Sequence, residues 1–127
     1  VLVHPEYDTA SMSIDPAVLG IYVKQPEWVK ANGKETGVRS TDQQRAIVKD
    51  AVGGGAYAYF NHQAKFGVEQ RFNPQEFSAL GLFWDASRQQ INLELPSKVV
   101  SLEKGQSAGY AYEVRYLAKP PAAAPAR

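Results

Sequence analysis

Hydrophobic and polar positions alternate with period two through the C-terminal part of the chain. Tyr110, Tyr112, Val114 and Tyr116 stand against Ala111, Glu113, Arg115 and Leu117, the pattern of an extended segment whose two faces meet different surroundings. The spacing predicts that the tyrosine side of this strand closes a dry interior. Gln90 to Leu95 alternates in the same way, with Ile91, Leu93 and Leu95 against Asn92 and Glu94. Leu80-Gly81-Leu82-Phe83-Trp84 is a nearly continuous apolar run of strand length, as expected of a central buried strand. Ala56 to Phe60 and Lys65 to Phe72 read as two further strands, Ile21 to Val23 as another, and Val1 to Tyr7 as an edge strand limited by Pro5. Asn73-Pro74, Asp85-Ala86-Ser87 and Lys104-Gly105-Gln106 supply turns between them, and Val99 to Leu102 is expected to open a strand of its own.

One stretch departs from period two. Ser40 and Gln43 make a capping-box pattern, Gln44, Ile47, Val48 and Ala51 share one side at helical spacing, and Gly53-Gly54-Gly55 supplies a stop. A single inserted α-helix over about residues 41–51 follows. Asp15-Pro16 suggests an isolated helical turn, and the polar stretch from Lys30 to Arg39, with Asn32-Gly33, reads as an exposed loop. Short strands at this spacing predict a mainly β fold, an antiparallel β-sandwich carrying that one helix. The chain has 127 residues, the size of one domain. Residues 1–118 are expected to form it, and the Pro/Ala-rich 119–127 a mobile tail.

Composition narrows the function classes. Fourteen Lys and Arg balance 13 Asp and Glu for a net charge of +1, and the basic residues are scattered among acidic ones, so no stripe exists to displace counterions from nucleic acid. The absence of cysteine excludes thiolate metal sites, disulfides and thiol catalysis. No apolar run approaches the roughly 20 residues that span a bilayer as a helix. The start at Val1, without an initiator Met, reads as a processed form or an excised piece, and the expected location is periplasmic or extracellular.

Three residues stand out as ligand contacts. Glu94 offers a carboxylate that can accept two hydroxyls side by side, although plain strand alternation would equally make it a solvent-facing residue. His62, next to Asn61 and near Lys65, lies at a strand end, where binding loops gather. Trp28, in the polar sequence Gln25-Pro26-Glu27-Trp28, is expected to be an exposed indole committed to a partner. His4, Glu6 and Asp8 alternate, but two histidines in the whole chain make a poor metal site. The triple glycine follows its helix instead of preceding it, so it is no phosphate cradle. No cofactor is expected.

The succession Leu80 to Asp85, Gln90 to Leu95, Val100-Ser101-Leu102-Glu103-Lys104-Gly105-Gln106-Ser107 and Tyr110 to Tyr116 resembles the C-terminal end of a galactose-mutarotase-like β-sandwich. That resemblance covers roughly the last third of the chain. It implies a sugar ligand, with Glu94 near the position of the family's catalytic base and His62 the nearest candidate for its acid. The rest of the family's pattern has no counterpart here, so the implied role is binding of carbohydrate, not catalysis. The competing expectation is a structural module that docks on a protein partner, or on copies of itself, through exposed strand edges and Trp28.

Overall fold

The computed structural model describes residues 2–3, 6–8, 19–25, 27–31, 43–85 and 90–122. In chain order they form β1 (Leu2–Val3), β2 (Glu6–Asp8), β3 (Leu19–Gln25), β4 (Glu27–Ala31), β5 (Gln43–Val48), a 3-10 helix η1 (Lys49–Gly54), β6 (Ala56–Asn61), β7 (Phe66–Phe72), β8 (Leu80–Asp85), β9 (Gln90–Pro96) and β10 (Tyr112–Leu117). The strands make two five-stranded sheets. In the first, the order is β1-β9-β8-β5, and β2 also pairs with β9. Since β8 takes one side of β9, the short strands β1 and β2 share the other. The second sheet runs β10-β7-β6-β3-β4, and every pairing in both sheets is antiparallel.

The sheets face each other across one core. Ile21, Val23, Tyr57, Tyr59, Val68 and Phe72 of the second sheet meet Leu80, Ile91, Leu93 and Leu95 of the first, with Phe77 from the connection between β7 and β8. Period-two alternation places these residues on the inner faces and their neighbours on the outer ones. Hydrogen bonds cross the same interface. The Tyr57 hydroxyl donates to the Gly81 carbonyl at 2.9 Å and lies 3.2 Å from that of Glu94, while Gln70 Nε2 donates to the Leu93 carbonyl at 3.3 Å. Strand β7 therefore lies over β9, and β6 over the β8/β9 pair. Two buried polar side chains anchored to backbone carbonyls fix which strands overlie which, something apolar contact alone leaves free.

The mainly β, antiparallel architecture is the one the alternation predicts, but the α-helix expected over residues 41–51 does not form. Gln43 to Val48 is strand β5, paired residue for residue with Asp85 to Leu80 of β8. Only Lys49–Gly54 is helical, as a short 3-10 segment. Six residues of helix-compatible spacing weigh little against six backbone pairs along the open side of β8, and β-branched Ile47-Val48 suits the ladder better. The glycine stop survives in altered form. Gly55 has a φ of 67° and donates to the Val52 carbonyl at 3.0 Å. A Cβ on Gly54 would lie 1.6 Å from the Lys24 carbonyl oxygen, so η1 rests against the backbone of β3 with no room for a side chain.

Three further expectations are corrected. Val99 to Leu102 forms no strand: it belongs to an exposed segment that leads from β9 to β10. Glu27 to Ala31, with its last two residues expected to open a loop, is β4, paired with β3. The tyrosine side of β10 does not close a dry interior, because Tyr112, Val114 and Tyr116 are 38%, 38% and 75% exposed. Of the expected turns, Glu103 to Gln106 is closed by a 3.0 Å bond from the Gln106 amide to the Glu103 carbonyl, with Gly105 at a φ of 88° supplying the left-handed third residue. Lys119 to Ala122 carries no strand. The turn at Asp15-Pro16, the rest of the 32–39 loop, His4 and residues 123–127 lie outside the described residues.

Candidate functional site

The three predicted ligand residues fall into two places. Trp28 and His62 lie on the outer side of the second sheet. Register across β4, β3 and β6 sets Lys30 beside Tyr22 and Tyr22 beside Ala58, and Tyr22, Ala58 and Phe60 form a small buried cluster against which Trp28 and Leu117 pack. The exposed indole expected in a loop is thus a half-buried strand residue. It covers the Tyr22 cluster because β4 runs antiparallel beside β3.

His62 sits at the start of the turn from β6 to β7. Asn61 Oδ1 accepts from the amides of Gln63 at 2.9 Å and Ala64 at 2.8 Å, an Asx turn that fixes the bend, and Lys65 completes it at a φ of 56°. The Tyr22 hydroxyl lies 3.0 Å from His62 Nε2, and the imidazole meets the Phe60 ring edge-on, 5.3 Å between centroids. Gly20 makes the space for this pair. A Cβ there would stand 2.7 Å from Tyr22 Cε2 and 2.9 Å from His62 Nε2. Burial, and then the positive charges of Lys30 and Lys65, hold the imidazole below its ordinary pKa, while burial raises that of the Tyr22 hydroxyl. Both groups are therefore neutral at neutral pH, with Tyr22 donating whenever Nε2 is unprotonated.

Glu94 is elsewhere. Ile91, Leu93 and Leu95 occupy the core, so Asn92 and Glu94 point from β9 to the outer side of the first sheet. Both are buried there, at 4% and 5% exposure, which removes the solvent-facing reading of Glu94. Its side chain folds over Gly81 across the strand pair, where a Cβ would lie 2.9 Å from Glu94 Cβ and 3.1 Å from Oε2. With sheets about 10 Å apart, Glu94 and the Tyr22–His62 pair occupy opposite outer surfaces of the sandwich, and one small ligand does not touch both. Among the described residues, no three His, Cys, Asp or Glu side chains converge as a metal site.

A second region was not legible in the sequence. Among the described residues, strand β10 ends its sheet, with β7 on one side and no strand on the other. Its register sets Tyr112 opposite Phe72, Val114 opposite Gln70 and Tyr116 opposite Val68. Since those three β7 residues face the core, the tyrosine side of β10 faces inward as well, yet Tyr112 and Val114 stay partly exposed there and Tyr116 mostly so. Phe66, 40% exposed, extends the apolar surface, its ring 5.7 Å from that of Tyr116. On the outer side, Glu113 lies opposite Arg71 and Arg115 opposite Glu69. Arg71 and Glu69 are paired along β7, and Arg115 and Glu113 along β10 at 2.8 Å.

Apolar exposure continues in the segment before β10, where Val99 is fully exposed and Val100 and Leu102 more than half so. A shallow cavity of about 270 Å³ opens there, lined by Val99, Val100, Leu102, Ala108 and Tyr110 together with Ser97 and Lys98. Tyr110 forms its inner wall by packing on Phe77 of the core. Period two revealed that β10 has two unlike faces. Which of them is covered depends on the width of the opposite sheet, which no local pattern encodes. Compared with protein-family models, with curated proteins and with solved structures, the chain matches none of them.

Proposed function

We propose that this domain is an assembly module that receives an extended segment of another polypeptide chain along the free edge of β10. The observation that carries the reading is the inward side of that strand, where Tyr112 and Val114 are partly and Tyr116 mostly exposed beside a backbone edge that pairs with no other strand among the described residues. An edge offers a row of amides and carbonyls ready to continue the ladder, and alternate side chains select the incoming strand. Natural edge strands are usually blunted by proline, by inward-pointing charge or by a bulge. Within Tyr112–Leu117 there is no proline, and the charged residues Glu113 and Arg115 are both on the outer side. Large contiguous apolar patches on a surface mark interaction sites more often than chance placement.

Hydrogen exchange with a synthetic peptide of alternating valine and threonine tests this. The peptide is expected to slow exchange across residues 112–117 while leaving β4, at the other end of the sheet, unchanged. Val114→Pro, which removes a ladder donor and introduces a ring at the edge, is expected to abolish the effect. No slowing at millimolar peptide would remove the reading.

One observation favours a second reading, a saccharide ring against Trp28. The indole covers Tyr22, and the neutral His62 imidazole hydrogen-bonded to Tyr22 lies on the same surface. A ring stacked on the indole could exchange hydroxyl hydrogen bonds with the imidazole. Galactose, glucose and short oligosaccharides are expected on this reading to quench Trp28 fluorescence in wild type and not in His62→Ala, with Glu94→Gln indistinguishable from wild type. Unchanged fluorescence with every sugar would sink it.

A further inference from the structure

We infer that the strand seated on β10 is β10 of a second copy, paired antiparallel about a two-fold axis through Val114. This deepens the strand-docking reading and rests on it. A two-fold axis perpendicular to the sheet pairs residues of the same face, so it must pass through a residue and not between two. Centred on Val114, it sets Tyr112 opposite the second copy's Tyr116, Glu113 opposite the second copy's Arg115, and Val114 opposite Val114. Moving the axis to Glu113 brings two glutamates face to face, and moving it to Arg115 brings two arginines. Like charges directly opposite destabilise a pair, and opposite charges support it.

Charge beyond β10 agrees with the same register. Arg71 lies opposite Glu113, and Glu69 opposite Arg115. Continuing each row across the axis gives Arg71, Glu113, the second copy's Arg115 and the second copy's Glu69, which alternates in sign over four strands. The other row is its mirror in charge. On the inward side, the tyrosines and valines of the two copies cover one another and extend the apolar surfaces of both cores. An isologous contact of this kind joins identical patches and closes as a dimer, so an edge that would otherwise promote open-ended association is consumed.

Sedimentation velocity across a concentration series tests the register through charge. Wild type is expected to pass from monomer to dimer. Glu113→Arg and Arg115→Glu are each expected to weaken association by at least about tenfold, since each sets like charges opposite in both rows. The two variants mixed in equal amounts are expected to form a heterodimer, because the acidic pair of one then faces the basic pair of the other. That rescue also controls for folding, since mixing relieves no clash within either chain. Wild type that stays monomeric, or single variants that associate like wild type, would overturn the inference. A monomeric wild type whose residues 112–117 are still protected by the valine–threonine peptide would remove the second copy and keep strand docking. A monomer without that protection would remove both.

Discussion

The contact between Tyr22 and His62 shows how much one hydrogen bond is hedged by its neighbours: Gly20 leaves the space, Phe60 fixes the ring, and burial, then Lys30 and Lys65, disfavour the imidazolium. The linkage sign follows. A folded-state pKa below the ordinary histidine value of 6.5 means that the unfolded chain takes up the proton first, so stability is complete above that value and falls as the pH drops through it. The loss levels off once His62 also protonates in the folded state. His62→Gln is expected to flatten this part of the stability profile in urea unfolding at pH 7.5 and 5.5; an unchanged slope would contradict the environment described. Tyr57 is a second informative residue. Tyr57→Phe keeps the ring in the core but deprives the buried Gly81 carbonyl of its cross-sheet donor, and is expected to cost about 1–3 kcal/mol by denaturant titration.

Among the elements, β5 and β10 mark where local pattern stops being decisive. Ala56 to Phe60, Phe66 to Phe72, Leu80 to Asp85 and Gln90 to Pro96 were legible because each is long, strongly patterned and paired on both sides in its sheet. In β5, helical spacing and a capping box described a segment whose fate was set by the open side of β8. In β10, alternation was read correctly as a strand, but its burial was not, because cover belongs to the opposite sheet. For the candidate site, Trp28 and His62 were legible as residue types with polar surroundings. Tyr22, which joins them, was not, because only the β3–β4 and β3–β6 registers bring it there. The approach of η1 to β3 offers a direct test at this scale. Gly54→Ala would thrust a methyl group into the Lys24 carbonyl, and thermal unfolding is expected to show a loss of at least about 1–3 kcal/mol, whereas Gly53→Ala, which meets nothing within 4 Å, should be close to neutral.

At the scale of the whole molecule, the sandwich is held by one core and by polar anchors from Tyr57 and Gln70, yet its second sheet carries an apolar inner strip that the first does not cover. Among the described residues the exposed large hydrophobics concentrate accordingly: of Val29, Phe66, Val99, Val100, Leu102, Tyr112, Val114 and Tyr116, only the first two precede the segment that leads to β10. An open edge beside that strip is the feature on which the proposed assembly depends, and amide exchange read residue by residue reports it most directly. In dilute protein, every second amide of Tyr112–Leu117 is expected to exchange at nearly the rate of an unstructured peptide, with the intervening amides protected by β7, and the fast set is expected to become protected as concentration rises. Uniform protection of all six at the lowest concentration would show the edge already covered within a single chain, and would contradict the account.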